Sequence, residues 1–174
     1  NRFALTAELD DHLGLWVGSV NGELKKIKGV ALNPLLGSEV KWMPDQKRLL
    51  ILKIPERGPA PKPPAIPAGP KILEGSGASA RSTYEARNLL VTAHDDALFT
   101  YYTTSEPVIL HPDTGKMKSI GKPDIYSTVN FSPDGKYIHV QRLKLPWSHE
   151  VAWWRFAKEI EIWDSSGRLV ANIA

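Results

Sequence analysis

Histidine, serine and carboxylate side chains decide what chemistry a chain can do, and their spacing here supports little of it. The five histidines, His12, His94, His111, His139 and His149, never take the His-x-x-x-His spacing that sets two imidazoles on one helical face for a metal. Asp10-Asp11-His12 and His94-Asp95-Asp96 put carboxylates beside an imidazole. Either could bind a cation, but a hairpin loop accounts for the first more simply, and a helix N-terminus for the second. A nucleophilic serine of the α/β-hydrolase type needs Gly-x-Ser-x-Gly, because it sits on a strained strand-to-helix turn. Gly77-Ala78-Ser79-Ala80-Arg81 comes nearest, lacks the second glycine and falls in a loop. With no cysteine in the chain, thiolate nucleophiles, thiolate metal sites and disulfides are excluded. No catalytic residue, no metal site and no cofactor are expected.

Aromatic and basic residues offer binding in place of catalysis. Trp16, Trp42 and Trp163 stand at repeated positions and are expected to pack in a core. Trp147, Trp153 and Trp154 lie in an irregular stretch from Leu145 to Phe156 that also holds Arg155; packing is the first expectation for them too, with contact to a substrate or a second domain as the alternative. The net charge of +3 is small, and no window carries the basic run of a phosphate-tracking groove, so nucleic acid is not an expected partner. No apolar stretch approaches the roughly 18 residues of a membrane-spanning helix.

Repeated turns show which elements must hold these side chains. Trp42-Met43-Pro44-Asp45-Gln46-Lys47 and Phe131-Ser132-Pro133-Asp134-Gly135-Lys136 each precede an apolar strand. Proline presets φ at the first turn position, aspartate bonds its own backbone and Gly135 tolerates positive φ, so these are tight turns. Gln46 stands where the second copy has glycine, which predicts a different turn geometry for the first. A second unit, a strand running into a polar turn with an apolar residue two places on, recurs at Gly22, Gly115 and Gly167; these are hairpins.

In chain order the units read hairpin, turn-strand, hairpin, turn-strand, hairpin. One turn-strand plus one hairpin makes a four-stranded antiparallel sheet, the blade of a β-propeller. Gly115 and Gly167 stand 52 residues apart, slightly above the roughly 40 to 50 of common propeller repeats. The predicted fold is all-β, a partial propeller of about two and a half blades with a long Pro-rich insertion and one or two short helices. Residues 1–38 form the trailing half of one blade. Residues 39–122 form a second, interrupted by the Pro-rich insertion 55–81 and a short helical segment 82–97, with a strand resuming near Tyr101. Residues 123–174 form a third, interrupted by the aromatic stretch 145–158. Seven prolines from Pro55 to Pro70, followed by Gly75-Ser76-Gly77, suggest an extended loop over one mouth. Propellers close with about 4 to 8 blades, so the missing blades are expected elsewhere in a longer protein, and the end faces of this piece are expected to be apolar.

Several strings go beyond generic turns. Gly29 to Gly37, Pro55-Glu56-Arg57-Gly58-Pro59-Ala60-Pro61, Pro67-Ala68-Gly69-Pro70, His94 to Tyr102, Ile120-Gly121-Lys122-Pro123 and Arg155 to Asp164 resemble the propeller of glutamyl endopeptidases, in the prolyl oligopeptidase family of serine peptidases. Gln46 and Ala157 depart from that pattern. The resemblance implies a C-terminal α/β-hydrolase domain of the same protein carrying the serine, aspartate and histidine, none of whose motifs occurs here. It further implies a propeller that covers the active site and restricts access of peptide substrate. Arg155 and Lys158, with Arg81 and Arg87 near the long loop, are then the cations to meet an acidic substrate side chain. Such enzymes occur in the bacterial envelope, secreted, or in plastids. Two other classes stay open: an interaction scaffold with no hydrolase domain, and a dipeptidyl-peptidase relative, against which the lack of adjacent Glu-Glu in the chain weighs.

Overall fold

The computed structural model describes residues 2–64 and 89–174. Arg81, Arg87, Ser79 and residues 82–88 of the expected helical segment 82–97 therefore lie outside the described residues. Among the described residues the strands form three antiparallel sheets, each a simple meander. The first contains β1 (Arg2–Glu8), β2 (Leu13–Ser19) and β3 (Leu24–Lys26), one strand more than a lone hairpin. The second contains β4 (Val40–Trp42), β5 (Leu49–Lys53), β6 (Glu106–His111) and β7 (Lys116–Ser119). The third contains β8 (Tyr126–Phe131), β9 (Tyr137–Leu143), β10 (Lys158–Asp164) and β11 (Leu169–Asn172). No described helix is long and apolar enough to cross a membrane.

Side chains alternate across a strand, so a strand buried on both faces reads as a continuous apolar run. Leu49-Leu50-Ile51-Leu52 in β5 is such a run, all four residues buried. Leu49 and Ile51 join Leu15, Val17, Leu32, Val108 and Leu110 between the first and second sheets. Leu50 and Leu52 join Ile109, Ile138, Val140 and Trp163 between the second and third. Each fully buried Leu or Ile contributes about 1.5–3 kcal/mol, and the two layers make the face-to-face stack of adjacent propeller blades. Lys41 of β4 links the first strands of the two complete sheets, its Nζ donating to the Val129 carbonyl (3.1 Å) and to Asn130 Oδ1. Burial lowers the pKa of that ammonium. Apolar side chains stay exposed at both ends of the stack, Phe3, Leu5 and Leu24 on the first sheet and Tyr137 on the third, where Tyr137 shares its face with His139 and Gln141.

The turn chemistry departs from expectation at one position. Gln46 takes φ of 54° and donates its N–H to the Met43 carbonyl at 2.9 Å, just as Gly135 at φ 70° donates to Ser132 at 2.8 Å. The two copies therefore share one turn, not two. Asp45 makes the substitution tolerable: its carboxylate accepts from the N–H groups of Lys47 and Arg48 and from Arg48 Nε, which fixes the turn around the unfavourable residue.

Asp164 does the same at the β10–β11 turn, accepting from the Ser166 hydroxyl and N–H and from the N–H and Nε of Arg168. These bonds, that from the Ser166 hydroxyl foremost, hold its carboxyl well below the usual carboxylate pKa. A group with a depressed folded-state pKa stabilises above its unfolded value, about 3.9, and loses that contribution as pH falls further. Asp164→Asn should lower the melting temperature at pH 7, and the gap to the native protein should close as the pH is taken from about 4 towards 2. Melting curves across that range check it; a gap independent of pH would refute the assignment.

Candidate functional site

In an antiparallel meander the connection between the second and third strands leaves from the same end as the link to the next sheet. Both long insertions here are of that kind, 54–105 between β5 and β6 and 144–157 between β9 and β10. They meet over the 27–39 and 120–125 links. Isolated bridges pin the junctions, Leu32 to both Leu13 and Lys53, and Ser105 to Asp124.

The first insertion contains α1, Ala93–Thr103. Phe99, Thr100, Tyr101 and Tyr102 favour a strand by type, and Tyr101 lies within this helix instead of near a strand start. Capping explains the outcome. Thr92 Oγ1 accepts from the Asp95 N–H and Asp95 Oδ2 accepts from the Thr92 N–H, the reciprocal capping box. At the other end buried Asn33 donates through Nδ2 to the carbonyls of Tyr102 and Thr104, both at 2.9 Å. His94-Asp95-Asp96 is thus a helix N-terminus and Asp10-Asp11-His12 a hairpin loop between β1 and β2, where His12 Nδ1 meets Asp11 at 2.5 Å. No metal-holding group of three ligands occurs among the described residues.

Phe99 of α1 and the second insertion share an aromatic core. Trp147 stacks on Phe156 at 5.5 Å, and Phe99 meets both edge-on at 5.3 and 5.7 Å. Trp147 Nε1 donates to Thr100 Oγ1 at 2.9 Å, and His149 Nε2 lies 2.9 Å from Asp96 Oδ1. Trp147 and Phe156 are therefore packing residues. Trp154 is different: it is 49% exposed at the tip, edge-on to Trp153.

Of the cations singled out in the sequence, Arg155 closes the short 3-10 turn Trp153–Arg155 and is exposed, while Lys158 opens β10 opposite Leu143 and is half-buried. Arg155 belongs to the second insertion and Lys158 directly follows it, and neither has a carboxylate partner among the described residues. Two further arginines escaped the sequence reading. Arg57 lies over the Tyr101 ring at 4.0 Å and 5.8 Å from that of Tyr102, and donates Nη1 to the Tyr101 carbonyl; Tyr101 Oη donates to the Gly58 carbonyl at 2.8 Å. Arg142 donates to Asp124 (2.9 Å), Glu159 (2.9 Å) and Glu161 (2.8 Å). Burial alone would lower the pKa of Arg142, but the hydrogen bond to Asp124 and the three negative charges outweigh it and raise the pKa. The first arginine orders a cation beside a cleft; the second locks the base of β10.

The chain covers 99% of its own length when superposed on the β-propeller domain of the Trilobed protease from Pyrococcus furiosus, with a TM-score of 0.50, 10% identity and 38% of that chain matched. No family model matches. In sequence it is 34% identical over 166 residues to a protein of Oryza sativa subsp. japonica described as "Probable glutamyl endopeptidase, chloroplastic". It is likewise 34% identical over 164 residues to the Arabidopsis thaliana protein of the same description. The chain is a β-propeller segment with probable endopeptidases among its relatives. The matches take in 92% and 91% of this chain but only 17% of each plant protein. The propeller segment therefore spans about one sixth of the length of those relatives, and its insertions 54–105 and 144–157 fall inside the matched region.

Proposed function

We propose that this segment is the non-catalytic wall of a glutamyl-endopeptidase-type serine peptidase of the prolyl oligopeptidase family. It covers an active site supplied by an α/β-hydrolase domain of the same protein and restricts which peptides reach it. The observation that carries this reading is identity of 34% across 92% of the chain to a relative described as a glutamyl endopeptidase. The insertion-bearing end supports it, since the exposed Trp154 and Arg155 give an apolar and cationic tip suited to a second domain or to a peptide. Arg155 and Lys158, together with Arg81 and Arg87, supply positive charge to acidic substrate side chains.

The full-length gene product, assayed on a short Glu-containing peptide and on an intact folded protein, tests this. Expected are cleavage after glutamate, sensitivity to a serine-reactive phosphonate, and strong preference for the short peptide. Absence of phosphonate-sensitive hydrolysis would overturn the peptidase reading in favour of an interaction scaffold. Equal cleavage of peptide and folded protein would overturn the wall.

A further inference from the structure

Blades stack through their faces, so further blades at either end of the stack cover the first and third sheets and leave the last strand of each sheet free. β3 and β7 are such last strands, and every residue of both is exposed. The first strands lie at the opposite, inner edge, where Lys41 of β4 reaches the backbone of β8. β3 and β7 therefore form the outer rim.

That rim is basic. Residues 23–28 and 116–122 hold six lysines and one carboxylate, Glu23, an excess of five positive charges where the whole chain has three. The two segments meet in space: a Cβ built on Gly29 would lie 3.9 Å from Met117 Cε, and Lys25 lines one cleft with Pro112 and Asp113 of the β6–β7 turn. Lys26 is occupied over the Trp16 ring at 5.4 Å. Lys25, Lys28, Lys116, Lys118 and Lys122 are exposed, and none pairs with a carboxylate among the described residues. Lysine on an edge strand blocks strand addition, but the blade does not require it: β11, the last strand of the third sheet, reads Leu169-Val170-Ala171-Asn172 with no charge.

We infer that this rim adheres to an anionic lipid surface, with the five free lysines against the headgroups and exposed Met117, between Lys116 and Lys118, entering the headgroup boundary. Lys25, Lys28 and Lys122 border three separate clefts, and Lys116 and Lys118 border none of those. The charges converge on no pocket, so a compact anion finds no seat. All five are ammonium point charges, without the planar fork that arginine brings to paired phosphate oxygens or base edges. Spread point charges around an apolar side chain suit a broad layer of headgroups better than a nucleic acid. The inference uses none of Arg155, Lys158 and Trp154, and it stands whether or not the protein cleaves peptides.

The test floats the full-length protein with vesicles of phosphatidylcholine containing about a quarter phosphatidylglycerol, and with vesicles of phosphatidylcholine alone. Binding to the anionic vesicles should be about tenfold or more the stronger, and should vanish at about 1 M salt. Lys116→Gln combined with Lys118→Gln should weaken it about 25-fold, about fivefold for each lysine. Lys47→Gln combined with Lys136→Gln removes the same charge from exposed lysines in the β4–β5 and β8–β9 turns, and should weaken binding less than about threefold. Melting temperatures matching the native protein report intact folds; if the rim variant melts lower, Lys25→Gln combined with Lys28→Gln replaces it with the same expectation. No preference for anionic vesicles, or equal losses in the rim and turn variants, would overturn the inference. Retention on heparin without vesicle binding would also overturn it, in favour of a nucleic-acid-like polyanion.

Discussion

Replacing Gly167 by alanine is expected to destabilise the fold by about 3 kcal/mol, the sum of positive-φ strain and a steric clash. Gly167 ends the β10–β11 turn at φ 91° and donates its N–H to the Asp164 carbonyl at 3.0 Å. A Cβ built there would lie 1.9 Å from the backbone oxygen of Ile120, 2.8 Å from its carbonyl carbon and 3.0 Å from its Cα. Those are backbone atoms and cannot swing aside like a side chain. Ile120 is itself buried in the layer between the second and third sheets, and its N–H donates to the Pro107 carbonyl at 3.0 Å. Relief therefore requires the β7–β8 link to move away from the third sheet. Gly135→Ala is the matched control, with φ 70° but only ordinary contact with Pro44 at 3.6 Å; strain alone should cost it about 1 to 2 kcal/mol. Urea unfolding of both variants decides the matter. Equal losses would mean that the third sheet does not approach Ile120 as closely as described.

That contact between a turn and a distant link shows where a sequence stops being legible. The blades were readable because their signals are local: proline, aspartate and glycine at fixed turn positions, and an apolar run in β5 that only a strand buried on both faces explains. Gln46 misled because its turn is held by Asp45 and not by the residue's own preference. Tyr101 misled because aromatic and threonine residues favour strands, whereas Thr92 and Asp95 cap a helix there and Asn33, about 70 positions earlier, holds its last carbonyls. The Thr-x-x-Asp box was present in the sequence and was the signal to follow. Arg155 and Lys158 were visible as cations in an aromatic stretch. Arg57 was not, since its seat, Tyr101, lies 44 residues away and nothing near Arg57 marks the pairing.

Arg142→Met should be the most damaging charge substitution, with an expected loss of about 3–5 kcal/mol. In the registered pairing of β9 with β10, Arg142 stands opposite Glu159, and Glu161 lies two residues on across the same face. The guanidinium meets both glutamates and Asp124 while only 25% exposed. Glu161 is 7% exposed, and its other oxygen accepts from Trp163 Nε1 at 2.8 Å. Removing the cation leaves three carboxylates facing one another. The cost falls mainly on Glu161, which is 7% exposed, and least on Asp124, which at 36% exposure is partly screened by solvent.

The loss then reflects an orphaned buried charge more than the worth of the ion pairs, and the two accounts differ in a measurable way. Adding Glu159→Gln and Glu161→Gln to Arg142→Met removes the repulsion and keeps an oxygen for Trp163 Nε1. If orphaned charge is the cause, this triple variant recovers more than half of the loss, a coupling far outside additivity. If each substitution instead adds its own loss, the network holds β10 through the pairs themselves. The distinction matters for function because β10 begins at Lys158, and Asp124 bridges to Ser105 at the end of the α1 insertion. A network that tolerates joint neutralisation merely avoids a penalty at the base of both insertions. One that does not sets the position of the surface that carries Arg155, Lys158 and Trp154.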